Sequence, residues 1–93
     1  MRIGMDEIVN AVCLNLAERH EVPPTSVEVE LLYDEEQGFS AEVWVQGRSR
    51  ILIEANLKEA IMRYMLTQYN ERVYPSQITL DVEDEIWADI ESA

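Results

Sequence analysis

VEVELLYDEEQGFSAEVWVQGRSRILI, residues 27–53, holds three short runs in which apolar and other residues alternate, separated by two turn-rich breaks. A period of two over such lengths, bounded by Gly and acidic residues, predicts a three-stranded antiparallel meander. The first strand spans Val27 to Tyr33. Val27, Val29, Leu31 and Tyr33 fall on one face, Glu28, Glu30 and Leu32 on the other. Asp34-Glu35-Glu36-Gln37-Gly38 forms the turn, where Gly38 supplies a positive φ that other residues resist. The second strand runs from Phe39 to Val45 and the third from Arg48 to Ile53.

The register of the second hairpin depends on the Gln46-Gly47 break. A two-residue turn there would set Val45 opposite Arg48 and send Ile51 and Ile53 outward, mixing apolar and charged residues on one face. A three-residue loop, Val45-Gln46-Gly47, keeps the faces separate and gives Gly47 the left-handed last position of a type I turn with bulge. It pairs Phe39 with Ile53 and Ala41 with Ile51 inside, and Glu42 with Arg50 and Trp44 with Arg48 outside. A loop shifted to Gln46-Gly47-Arg48 also keeps the apolar faces together. The first of these loops is preferred because it gives Gly47 a role.

Upstream, apolar residues recur from Met5 through Ile8, Val9, Val12, Cys13 and Leu16 with a helical period. Asp6 and Glu7 suit a helix start, and Arg19 and His20 suit its carbonyl end. Pro23 and Pro24 forbid continuation. These signs predict a helix from about Asp6 to His20, with Leu14 off the apolar stripe. Downstream, Asn56-Leu57-Lys58-Glu59 has capping-box spacing, predicting a second helix from near Asn56 to Glu71. Its apolar residues cover well over half the circumference, so it is expected to be covered on two sides, by the sheet and by the first helix or another subunit. Ile78 to Val82 reads as a further strand, and Ile86 to Ile90 as a last strand rather than a helical tail. The fold class is α+β in one domain over residues 1–93, in the order α-β-β-β-α-β(-β). The expectation is a mainly antiparallel sheet with two helices packed on one face, and the late strands added to that same sheet.

The chain has 19 acidic and 7 basic residues, a formal net charge of -12. Such a field repels phosphate backbones and anionic lipid, so nucleic acid and membrane are not expected partners. No apolar run approaches the length of a membrane span or a signal core. Cys13 is the single cysteine, which excludes an internal disulfide and a CxxC metal knuckle. A reducing cytoplasm is the expected compartment.

No catalytic set emerges. The acidic group Asp81, Glu83, Asp84 and Glu85, with Asp34, Glu35 and Glu36, offers hard oxygen ligands but lacks the spacing and glycine of a calcium loop. Acidic turns that keep sheet ends soluble and oppose edge pairing account for it better. His20 fits a helix end, and Cys13 fits a small buried hydrophobe without positive charge to activate it. Phosphate-cradling glycine loops and hydrolase elbows are absent. The element order matches that of double-stranded-RNA-binding modules, but the start of the second helix reads Glu54-Ala55-Asn56-Leu57-Lys58-Glu59, too acidic to meet phosphates. Catalytic, cofactor-binding and metal residues are therefore none, and no cofactor is expected. The outer sheet face, with Trp44, Arg48, Arg50 and Glu42, has the composition of a contact surface.

The run IVNAVCLNLAERHEVPPTSVEVELLYDEEQGFSAEVWVQGR, followed by ILIEANLKEAI, resembles the YxcD-like family of small uncharacterised proteins of Bacillus and related Firmicutes. The likeness spans Asp6 to Val82 and is most specific in VEVELLYDEEQGFSAEV and ILIEAN. It implies a cytoplasmic α+β protein of unassigned function and carries over no site residue. The function expected is a non-enzymatic acidic cytoplasmic protein that associates with itself or with another protein. A small carboxylate-based enzyme or ligand- or metal-binding domain is one alternative. An acidic mimic of nucleic acid that binds a basic protein is the other.

Overall fold

A computed structural model describes residues 1–91. The elements are β1 (Arg2–Ile3), α1 (Met5–His20), β2 (Val27–Asp34), β3 (Gly38–Val45), β4 (Arg48–Ile53), α2 (Glu54–Tyr69), β5 (Ile78–Val82) and β6 (Ile86–Ile90), with single 3-10 turns at Pro24–Ser26 and Pro75–Gln77. The fold class is α+β with the expected element order, and Ile86–Ile90 is a strand. A two-residue strand, β1, comes in addition. It is too short to leave a periodic signal in the sequence.

The strands form two antiparallel sheets, not one. The meander is β2-β3-β4, and a second sheet is ordered β1-β6-β5. The β5–β6 hairpin turns to the segment before α1 and makes β6 the central strand, with Arg2 opposite Asp89 and Ile3 opposite Ala88. Main-chain bonds between Met1 and Ile90 extend this pairing by one residue. Ile3, Ile78, Leu80, Ile86, Ala88 and Ile90 are all buried, which is the gain that drives the second sheet.

Both helices lie on one face of the meander and against each other. α1 packs on β2 and also on β6, and α2 packs on β3 and β4. One core, including Ile8, Val12, Val43, Leu57, Ile61 and Met65, joins helices and sheets. The wide apolar arc of α2 thus meets both the sheet and α1 on its two covered sides. Leu66 and Tyr69 stay exposed beyond them.

The first hairpin has its expected turn. Asp34 Oδ1 accepts from the N–H of Glu36 at 2.7 Å and of Gln37 at 3.3 Å, and Gly38 takes φ 79°. The second hairpin departs from the preferred register. Val45 pairs with Arg48 across a two-residue turn in which Gln46 has φ 52° and Gly47 φ 77°. Positive φ at both turn residues is the primed geometry that follows the twist of paired strands. Ala41 therefore faces Leu52, Glu42 faces Ile51, Val43 faces Arg50 and Trp44 faces Ser49. The expected Glu42–Arg50 and Trp44–Arg48 pairs do not form, because their members lie on opposite faces.

The mixing of faces is tolerated because β4 is an edge strand whose rim the helices do not cover. Only Leu52 reaches the core, at 5% exposure. α2 also begins earlier than its Asn56 cap predicts. It starts at Glu54, and Asn56 Oδ1 instead accepts the Ile53 N–H at 3.0 Å from inside the first turn.

Candidate functional site

Three cross-strand rows make up the outer face of the meander, which neither helix covers: Leu32–Ser40–Ile53, Glu30–Glu42–Ile51 and Glu28–Trp44–Ser49. Of the residues expected to form a partner surface, Glu42 and Trp44 lie here. Arg48 and Arg50 project from the helix-facing side at the sheet's rim, both exposed. The strand pleat thus divides the four into two pairs. Trp44 is half-buried in a shallow depression with Thr25, Ser26, Glu28 and Gly47.

In place of the Trp/Arg pairing, the structure exposes an aliphatic edge. Ile51 is 57% exposed and Ile53 61%, with Leu32 across the sheet at 37%. β4 has a strand neighbour on one side only, so its other backbone edge is unpaired. The opposite edge, β2, carries Glu28 and Glu30 on its outer face, charges that oppose edge-to-edge pairing. Glu30 stands directly across from Glu42, a like-charge pair that disfavours a bare acidic centre.

A second feature lies between the helices. Glu18 of α1 meets Arg63 of α2 at 2.7 Å, and Arg19 pairs with Glu59. Beside these pairs opens a groove of 660 Å³ lined by both helices and by Arg72, Val73 and Tyr74 of the segment before β5. The breadth of the apolar arc of α2 is the one signal of it in the sequence. Nothing there places Arg72 beside that arc.

Two further clusters tie titratable side chains to structural partners. Glu7 Oε1 accepts from the Tyr64 hydroxyl at 3.0 Å and the Tyr69 hydroxyl at 2.6 Å. The Glu7 hydrogen bond foremost, then burial, pushes Tyr69 up to about 12, while burial first and then Glu7 raise Tyr64. Arg2 grips Asp89 through two nitrogens, at 2.7 and 3.1 Å, and its guanidinium lies 4.7 Å from the centre of the Trp87 ring. The Arg2 hydrogen bond holds Asp89 below the usual carboxylate range. Trp87 Nε1 is buried beside the Arg2–Asp89 pair and makes no hydrogen bond of good geometry among the described residues.

Cys13 is half-buried with its Sγ 3.8 Å from the Val27 carbonyl oxygen, and burial raises its pKa away from the reactive thiolate. His20 is the exposed last residue of α1. Among the described residues, no three His, Cys, Asp or Glu side chains come together as a metal site. Asp81, Glu83, Asp84 and Glu85 are exposed at the β5–β6 turn. No helix among the described residues is long and apolar enough to cross a membrane.

Against known families, residues 1–85 match the model described as "Protein of unknown function (DUF2653)". The chain belongs to this family. In DUF2653 terms, the matched stretch contains both helices, the meander and β5, and it stops one residue before β6. The family description names no activity, ligand or catalytic residue. Neither a curated protein nor a solved structure matches the chain.

Proposed function

We propose that the protein is a non-enzymatic interaction module of the cytoplasm that self-associates through the β4 edge. Within DUF2653 we place it in the YxcD-like branch of Bacillus and its Firmicutes relatives, on the likeness in VEVELLYDEEQGFSAEV and ILIEAN. One observation carries the self-association: Ile51 and Ile53, at 57% and 61% exposure, stand on an unpaired strand edge. Soluble chains ordinarily protect such edges with charge, proline or a bulge.

The chemistry of the edge favours a second copy. A twofold-related β4 runs antiparallel to the first, so the basic end, Arg48 and Arg50, approaches the partner's acidic end at Glu54. The same pairing continues the isoleucine row across the junction. Each isoleucine has about 1–2 kcal/mol of burial still to gain, so four in a symmetric dimer contribute roughly 4–8 kcal/mol. Association costs at least about 4 kcal/mol, so strand hydrogen bonds across the edge complete the balance and the dimer is a moderate one.

Sedimentation equilibrium of the wild type and an Ile51→Lys/Ile53→Lys variant tests this. The wild type is expected to dimerise with rising concentration, and the variant to stay monomeric with an unchanged circular dichroism spectrum. A wild type that remains monomeric up to roughly millimolar protein would sink the proposal. So would a variant that dimerises as strongly as the wild type.

A further inference from the structure

The geometry points to the α1–α2 groove as a binding site for a small amphipathic monoanion, a carboxylate carried on an apolar chain or ring. The groove's 660 Å³ is within the range of about 300–1,000 Å³ that small-molecule sites occupy. Its apolar lining comes from Met62 and Leu66 of α2 and from Val73 and Tyr74. Leu66 is 39% exposed and Tyr74 55%, so this surface is open to a ligand rather than closed by the fold. None of the lining residues belongs to β4, and the site stands whether or not β4 pairs.

Charge selects the ligand. Three of the chain's 7 basic residues, Arg19, Arg63 and Arg72, line this one groove in a chain of net charge -12. Arg19 and Arg63 are matched by Glu59 and Glu18 across the two helices. Arg72 has no carboxylate partner among the described residues, so the lining carries one positive charge in excess. A guanidinium fork receives a carboxylate through two parallel hydrogen bonds. The surrounding acidic field opposes polyanions far more than a single negative charge, which disfavours a polyphosphate or nucleic acid. The apolar lining supplies the rest of the affinity and requires that the anion bear an apolar body.

Decanoate, with decanol as its uncharged counterpart, is the probe. Methyl and guanidinium resonances of the intact chain are followed by NMR below the micellar concentration of decanoate and below the solubility limit of decanol. Decanoate is expected to shift Met62, Leu66 and Arg72 saturably, and to bind about fivefold or more tightly than decanol. Arg72→Gln, at an exposed linker position, should bring decanoate binding down to the level of decanol. Leu66→Glu should weaken both.

No saturable shift at these residues, or shifts scattered over the surface, would overturn the proposal. Equal binding of decanoate and decanol would do the same. In the Ile51→Lys/Ile53→Lys variant, groove resonances that move with protein concentration in the absence of decanoate would mean that a second copy occupies the groove, and would also refute it.

Discussion

Gln46 is the residue whose replacement tests the fold most sharply. It holds φ 52° in the two-residue turn between β3 and β4, beside Gly47 at φ 77°. An L-residue in the left-handed region costs roughly 1–2 kcal/mol, a cost glycine does not bear and asparagine bears less. Against this, glycine loosens the unfolded chain by about 0.4–1 kcal/mol. Gln46→Gly should therefore stabilise by about 0.5 kcal/mol, and Gln46→Asn by about 0.5–1 kcal/mol, since Asn-Gly is the preferred pair for this turn. Gln46 is exposed, so packing does not enter. With a urea slope near 1 kcal/mol/M for a chain of this size, the midpoint rises by about 0.5–1 M at unchanged slope. The alternative three-residue loop puts Gln46 in the right-handed region and reverses the sign for glycine, to a loss of about 0.4–1 kcal/mol. A fall in the midpoint of Gln46→Gly, measured by urea denaturation with the slope unchanged, would refute the two-residue turn.

The register predicts a further contrast along β4. At concentrations where the chain is monomeric, Leu52→Ala should cost about 2–4 kcal/mol in thermal or urea unfolding, and Ile53→Ala no more than about 0.5 kcal/mol. The reverse order would place Ile53 in the core. The Glu7 hydrogen bond predicts a pH effect. Tyr69 is protonated in the folded chain up to about 12, above its unfolded value of 10.0, so the folded state holds more protons in that window. The resulting stabilisation is complete below pH 10.0 and fades as pH rises toward 12. In ultraviolet titration, Glu7→Gln should move the Tyr69 midpoint down toward 10.0 and flatten that pH dependence.

The elements themselves were legible because each carries its own local chemistry. The prolines after α1, the acidic turn ending at Gly38, and the alternation at Ile78–Val82 and Ile86–Ile90 each act over a few residues. The register of β4 was not legible, for a physical reason. ILI offers two isoleucines to one face and one leucine to the other, and the pattern argument assigns the larger set to the core. At a sheet edge the set that wins is the one beneath a helix, and α2 covers only Leu52. The second sheet was not legible because β1 offers a single apolar residue, Ile3, whose partner Ala88 lies far away in the sequence. Of the surface residues, Glu42 and Trp44 remain on the outer face with the exposed isoleucines. Arg48 and Arg50 flank the same edge from the other side.

The pairing of β1 with β6 closes one flank of the molecule with residues far apart in the sequence. The Met1 ammonium donates to the Ile90 carbonyl at 2.9 Å across a separation of 89 residues. The meander and both helices that dock on it are formed entirely by residues before Ile86. Without Ile86–Ile90, Ile3, Ile78 and Leu80 lack their central strand. β6 is thus the strand that seals this flank, and a chain cut back before Ile86 is expected to keep the meander and both helices while exposing those three side chains.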